Sequence, residues 1–550
     1  MRTNDKEFDT LNLTKEYTER LQEIAKDLKK TYANFLDEYG RDKEDYWWIS
    51  PIVSRNTSWD KTYQNICELL LCIEVLNTRE CRRVIVSNNQ IKKILSSLYP
   101  NKKIICTKSS KGIHFLFDRV GAYFRELKAF ITASIVKPII WKLYRRRRYY
   151  STGEVLVIQP LLSNMIRSDG SIQERYLGFI NDYTNKNVDF YYQLTRNESI
   201  SNKSLVEKCN KISNNSVIEE ELFSIKDILV YAKYKRYLKK IARDTYIFNG
   251  INISPIIKES LLCSAKMYRV AYSYSIARRF FESNHYNYVL IWYEGRPTDN
   301  AIALALKCAS IESKDIGVIQ YPLSDFTFRA MNTKGQIERN ACPTTISVTG
   351  ASFIFQVKQI YNGRKTIILP YFRKRMRYIG RADEQSTKIL VALPYFKKEC
   401  QVILEILDKF FEKTTDKIEI IIKMHPVFGE KDISIYTEKE LSFTPKYVSG
   451  DIYDCMKGVS IAISSNSSAS MDIICAGIPL ICVNLLGQIY DTWIPQDISK
   501  ELYYSVYDIH DFEKAYYEIK YSDGWKRDKM IDIQRYFVTP TAEMINNILK

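Results

Sequence analysis

The sequence predicts an α/β protein with two doubly wound parallel-sheet halves. Three observations lead there. Short apolar runs rich in β-branched residues alternate with stretches of helical periodicity, which is the pattern of βα units. The runs are apolar throughout instead of alternating, as in strands buried on both faces. Several of them stop at polar clusters, and ligands of open α/β sheets sit beyond the carboxyl ends of such strands.

In the first half, Asp45–Asp60 (DYWWISPIVSRNTSWD) is a polar and aromatic segment ahead of a helix near residues 61–76. Strands are expected at Arg83–Ser87, Lys103–Thr107, Val155–Gln159, Val188–Leu194, Tyr288–Tyr293 and Ile316–Tyr321. Helical stretches at Asp227–Asp244 and Pro255–Glu282 make residues 200–285 a helical insertion in a first domain of residues 1–375. Residues 371–387 are polar, basic and without hydrophobic periodicity, so the hinge falls there and the linker is placed at 376–387. Strands of the second domain, 388–525, are expected at Lys388–Leu393, Lys417–Lys423, Lys446–Val448, Val459–Ile463 and Leu480–Val483. Residues 526–550, with a helix at Pro540–Lys550, are expected to return to the first domain.

The segment Ile418–Val483 carries the most chemistry. Its run IEIIIKMHP ends at Lys423, His425 and Pro426, and VSIAISSNSSASMDIICAGIPLICV breaks at Ser464, Ser465, Asn466, Ser467 and Ser468. Residues 469–476 then read as a helix that Gly477-Ile478-Pro479 stops. A hydroxyl-rich turn opening a helix offers N–H donors, hydroxyls and the positive end of the dipole, which together make a phosphate seat. Asp472, one turn in, is placed to reach a ribose hydroxyl.

Composition narrows the class. The chain has 550 residues, an apolar fraction of 45% and a net charge of +17, enough for several real cores. No apolar stretch reaches the roughly 18 residues of a spanning helix. The charged start MRTNDKEFDTLNLTKEY has no apolar leader region. Twelve cysteines without a C-x-x-C pair read as buried thiols, so a cytoplasmic protein is expected. Four histidines far apart in sequence argue against zinc. Basic residues cluster at Lys142 and Arg145–Arg148, at Lys233–Arg243, and at Arg364–Arg381. The first cluster follows the apolar, tryptophan-bearing stretch Leu127–Trp141. Leu127–Arg148 therefore suits a helix lying on an anionic membrane surface, interrupted at Lys137-Pro138. No nucleic-acid-binding module accompanies the charge.

Two α/β halves, a basic linker, K-x-H-P, and S-S-x-S-S followed by D-x-x-x-x-G-x-P resemble a GT-B glycosyltransferase. More narrowly, the chain resembles the bacterial sialyltransferases and the Kdo transferases of capsule and surface polysaccharide. Tyr293-Glu294-Gly295 stands where that group carries its acidic-Gly motif. Ile316–Tyr321 resembles a strand that ends in Gln-His-Ser in surface-carbohydrate proteins, with Tyr321-Pro322 here in place of His-Ser. WWISPIVSRN resembles their N-terminal signature. The resemblance implies two Rossmann-like domains and transfer of a CMP-activated Kdo or nonulosonic sugar to a growing surface glycan. UDP- or GDP-sugar transfer, CDP-polyol transfer and a non-catalytic glycan-binding subunit are the alternatives.

The chemistry assigns the residues. Charge on the departing phosphate needs N–H donors, hydroxyls and cations where no divalent ion is bound. Lys423, His425, Pro426, Ser464–Ser468 and Asp472 are assigned to the nucleotide. Glu294 is the base or nucleophile, with Asp325 and His425 as further catalytic candidates. Arg55, Asn56, Arg296 and Asp299 are assigned to the acceptor. Asp451 and Asp454 read as a turn, and no metal or resident cofactor is expected. The partners expected are a nucleotide sugar, a glycan or lipid-linked glycan, and the inner membrane surface.

Overall fold

The apolar runs fold as strands of parallel sheets. β1 (Glu7–Asp9), β2 (Arg83–Val86) and β3 (Lys103–Cys106) form a small sheet of their own. This corrects the expectation that Arg83–Ser87 and Lys103–Thr107 belong to the first doubly wound sheet. That sheet contains β4 (Val155–Leu162), β5 (Val188–Thr195) and β6 (Ser216–Ile218). A short antiparallel hairpin follows, β7 (Ile247–Phe248) and β8 (Ile251–Asn252), closed by Asn249-Gly250 with both φ angles positive. The sheet resumes with β9 (Tyr288–Trp292), β10 (Lys314–Val318), β11 (Thr345–Val348) and β12 (Thr366–Ile368). The second sheet holds β13 (Thr387–Ala392), β14 (Ile418–Lys423), β15 (Lys446–Val448), β16 (Ile461–Ser464), β17 (Leu480–Val483) and β18 (Tyr503–Val506). This architecture is that of a computed structural model describing residues 7–57, 59–78, 81–107, 127–151, 153–196, 200–263, 267–309, 312–373, 376–382, 387–425, 441–489, 493–521 and 531–550.

Strand order settles the fold class. The first sheet runs β12-β11-β10-β9-β4-β5-β6 and the second β15-β14-β13-β16-β17-β18, every pair parallel. Counted within each sheet, both follow the 3-2-1-4-5-6 order of the Rossmann fold, and the first adds a seventh strand at one edge. The two switch points lie between β4 and β9 and between β13 and β16. Two such sheets facing one cleft make the GT-B arrangement.

Period-two alternation distributes each strand between two apolar layers. β4 sends Leu156 and Ile158 to a core shared with the N-terminal helices, and Val155 and Val157 to a second core. That second core also takes Leu390 and Ala392 of β13, so it runs from one sheet to the other. Ile389 and Val391 face a third core on the far side of the second sheet. Residues of the C-terminal segment join the second core through Tyr536, Phe537, Ile545 and Leu549. Val538 N–H donates to the Thr349 carbonyl at 2.8 Å, and Tyr371 N–H donates to the Val538 carbonyl at 2.9 Å. In the hinge, Ile379 and Gly380 N–H both donate to the Ala476 carbonyl, at 2.9 and 2.8 Å.

Residues 127–144 are helical throughout, with a π turn at Thr132–Val136. The expected interruption at Lys137-Pro138 does not occur. The wider turn just before Pro138 absorbs a residue that has no N–H to give. The Pro255–Glu282 stretch contains the helices Ser254–Cys263 and Met267–Ser283, with 264–266 outside the described residues. Among the described residues, no helix is long and apolar enough to cross a membrane.

Candidate active site

A cleft of about 460 Å³ lies where the two switch points face one another. From the first sheet it takes Leu162 at the end of β4, Trp292 and Glu294 at the end of β9, and Tyr321 after β10. From the second it takes Tyr395 and Phe396 after β13, His425 after β14, and Asn466, Ser467 and Ser468 after β16. Among the described residues, six cationic side chains line it, Lys29, Arg55, Arg175, Arg296, Arg329 and Arg373, against two carboxylates, Glu294 and Asp325.

The acidic turn is built by Gly295. Its φ is +62°, and a Cβ there would meet the Arg329 carbonyl oxygen at 2.1 Å. Only glycine fits that backbone and that approach. The chain then enters the helix Pro297–Cys308, whose third residue, Asp299, reaches back to accept the N–H of Glu294 at 3.0 Å and of Arg296 at 3.1 Å. Asp299 also holds the Arg296 guanidinium at 2.8 Å and is fully buried. It caps the helix and does not line the cleft. The Glu294 side chain, 34% exposed, points the other way and accepts from Trp292 Nε1 at 2.9 Å. Burial pushes its carboxyl up. Arg296, Arg329, the Trp292 bond and Arg373 together outweigh burial and hold it below the usual range. Glu294 is therefore ionised at neutral pH.

Neighbouring groups fix this corner. Tyr321, which stands in the position of a histidine in the resemblance, donates its hydroxyl to the Tyr293 carbonyl at 3.1 Å. Burial pushes its phenol up, so it stays protonated at neutral pH. Asn56 donates to the Glu294 carbonyl at 3.3 Å. Arg55 is buried at 4% and donates to the Val53 and Met331 carbonyls, both at 2.9 Å. Its guanidinium clamps two loops and stacks 5.1 Å from the Phe328 ring. Asp325 accepts from Gln359 Nε2 at 2.7 Å, while Lys29 donates to the Asp325 carbonyl at 2.8 Å.

On the opposite wall the serine-rich turn divides in two. Ser464 and Ser465 are buried beneath it, donating to the Ala392 carbonyl at 3.3 Å and to Glu399 Oε2 at 2.8 Å. Asn466, Ser467 and Ser468 face the cleft, and the Ser467 hydroxyl accepts the Ala469 N–H at 3.3 Å. Asp472 lies at 1% exposure near the Tyr453 phenol, on the buried side of the short helix Ala469–Cys475. Its side chain does not line the cleft. Lys423 is buried at 9% and bears on the cleft through the effect of its charge on His425. Pro426, Lys374 and Arg375 lie outside the described residues. Burial, then Lys423, Arg175 and Arg373, bring the His425 imidazole down to about 4, so it is neutral at pH 7. Its ring meets Tyr395 edge-on, centroids 5.5 Å apart.

Sequence reasoning missed several contributors. Arg329 lies over the rings of Tyr321 and Trp493, at 5.6 and 5.0 Å. Arg373, one of the hinge charges, donates to the Arg175 carbonyl at 3.1 Å and lies 5.7 Å from the Trp292 ring. Glu399 sits at 3% exposure under the serine turn, where burial pushes its carboxyl up to about 7. No local pattern marks these residues; only the charge of the hinge segment hinted at Arg373. Asp451 caps a helix by accepting the Tyr453 N–H at 2.8 Å. Among the described residues, no group of three His, Cys, Asp or Glu is placed to hold a metal ion.

No family model matches the sequence, and no curated protein is similar to it. Among solved structures, the chain is similar to the apo form of the lipopolysaccharide outer core galactosyltransferase WaaB, with 11% identity and a TM-score of 0.39 over 72% of this chain and 99% of that one. It is similar to an α,α-trehalose-phosphate synthase (UDP-forming) from Burkholderia xenovorans, with 10% identity and a TM-score of 0.39 over the same shares. It is also similar to a UDP-GlcNAc 2-epimerase from Neisseria meningitidis bound to UDP-GlcNAc, with 9% identity and a TM-score of 0.40, again over 72% and 99%. Likenesses this distant carry no argument about chemistry. The two 3-2-1-4-5-6 sheets and the cleft between them define the fold.

Proposed function

We propose that the chain is a glycosyltransferase that moves a sugar from a nucleotide-activated donor to a glycan acceptor of the bacterial surface. One observation carries the reading. A cleft rich in arginine, at the facing switch points of two Rossmann-like sheets, sets a hydroxyl-bearing turn and a neutral histidine on one wall against an ionised carboxylate on the other. His425, Asn466, Ser467 and Ser468 hold the donor phosphate through N–H and O–H donors, and Arg175, Arg329 and Arg373 balance its charge as the bond to the sugar breaks. Glu294 is the catalytic carboxylate. A carboxyl held below its usual range is a weak base but a persistent negative charge, suited to stabilise positive character on the sugar ring or to attack it. Asp325 is the second candidate to take the acceptor proton. The donor proposed is a CMP-activated Kdo or nonulosonic sugar, on the strength of the paired K-x-H-P and serine-turn motifs.

A thermal-shift panel of CMP, CDP, UDP and GDP tests the donor. A ligand at 100 times its Kd stabilises by about 2.7 kcal/mol, which a melt reads easily. Stabilisation by UDP without CMP overturns the CMP proposal, and no response to any nucleotide overturns the enzyme reading. Glu294→Gln should lower turnover at least about 100-fold. Removing a negative charge from among arginines should leave nucleotide affinity equal or tighter. Undiminished turnover in E294Q would reassign the catalytic carboxylate.

A further inference from the structure

The helix of residues 127–144 has two faces of opposite character. Its inner face packs on the first domain. The Ser134 hydroxyl meets that of Tyr272 at 2.5 Å, Phe130 lies 5.2 Å from the Tyr231 ring, and Trp141 is buried. Ala133, Lys137 and Pro138 line a cavity of about 140 Å³ that shares Trp59 and Arg296 with the main cleft. The outer face carries Leu127, Ile131, Ile135, Ile139 and Leu143, one every fourth residue, at 37, 40, 49, 53 and 69% exposure. In a regular α-helix that spacing drifts by about 40° per step. The π turn at Thr132–Val136 takes back part of the drift and keeps the row on one side.

The flanking charges are sorted by direction. After the helix the chain is extended at Arg145, so successive side chains alternate. Arg145 and Arg147 turn inward to Glu221, at 3.4 and 2.7 Å. Arg146 and Arg148 are exposed and, like the exposed Lys128 and Lys142, make no ion pair with another described residue. An apolar row flanked by four cations that no described residue pairs with fits an anionic lipid surface, where acyl chains take the row and phosphates take the cations.

We propose that this face docks the protein on an anionic bilayer. The inner face of the same helix lines a chamber that shares residues with the cleft, so docking holds the cleft beside the membrane, where an acceptor carried on a lipid would present its sugar. That extension rests on the glycosyl-transfer reading; the docking does not.

Vesicle flotation of the full chain tests it, with phosphatidylcholine vesicles and with phosphatidylcholine–phosphatidylglycerol vesicles. The protein should float with the anionic vesicles and not with the neutral ones. Ile135→Glu with Ile139→Glu, and separately Lys142→Glu with Arg146→Glu, should each reduce the bound fraction at least about tenfold without changing the melting temperature. A protein that stays at the bottom with both vesicle types overturns the proposal, as do variants that float like the parent. A fall in solution mass of the Ile135→Glu, Ile139→Glu variant without vesicles makes the face a protein interface and overturns it too. Flotation needs no turnover, so its result stands apart from that of the nucleotide panel.

Discussion

Glu399 offers a sharp test of how burial works beneath the serine turn. It is the third residue of the helix Lys397–Phe411, 3% exposed, and accepts the Ser465 hydroxyl at 2.8 Å. Burial pushes its carboxyl from 4.5 to about 7, and the Ser465 bond offsets only part of that. Between these values the folded protein keeps a proton that the unfolded chain has released. Stability therefore falls as pH rises from about 4.5 to about 7 and then levels off. The separation is worth about 3 kcal/mol. Glu399→Gln keeps the shape and can still accept from Ser465, yet has nothing to ionise. The variant should gain about 3 kcal/mol relative to the parent on going from pH 4.5 to pH 8. In a domain of this size that is roughly 6 °C or more in melting temperature. Thermal and urea melts of both proteins at the two pH values measure it. A difference between variant and parent that does not change with pH refutes the reasoning, and so does a variant less stable than the parent at pH 8.

Gly295→Ala should cost about 3 kcal/mol or more, from the left-handed backbone and the displaced Arg329 carbonyl, read by chemical denaturation. Arg147→Met should cost about 3–5 kcal/mol because Glu221, with no exposed side-chain surface, loses its 2.7 Å partner, whereas Arg146→Met should stay within about 0.5 kcal/mol. His425 is held down to about 4 in the folded protein, so the unfolded chain takes up the proton first as pH falls. Stability should drop from about pH 6.5 toward 4, and His425→Gln should flatten that part of the profile in melts across the range. Over the neutral range nucleotide affinity should show no step from this ring.

The mostly apolar runs of β4, β5, β9, β13, β14 and β17 were legible because a strand buried on both faces declares itself in its own residues. β6, β11, β12 and β18 have three or four residues each and carry Ser, Thr or Tyr, so no local pattern separates them from loops. The 247–252 hairpin carries a sequence signal of its own, Asn249-Gly250, but only two residues in each strand. Within the site, Glu294, His425 and Asn466–Ser468 could be nominated because each ends a strand just before the chain turns. Asp299 and Asp472 each lie one turn into a helix, where the side chain faces the cleft or the core according to how that helix packs, and both are buried. Arg329 and Arg373 left no local trace of their place in the cleft, since they approach it from chain distant in sequence.

The sequence by itself determined the longer buried strands and most of the helices, that the fold is built of parallel sheets, and which strand ends carry polar clusters. Those properties rest on the hydropathy of near neighbours and on the backbone preferences of Gly, Pro and Ser. Only the tertiary structure decided that β2 and β3 leave the main sheet, that Arg145 and Arg147 turn inward while Arg146 and Arg148 turn out, and that Glu294 is ionised. Each of these depends on charge and packing contributed by residues tens to hundreds of positions away, whose approach is set by sheet order and by the docking of one sheet against the other.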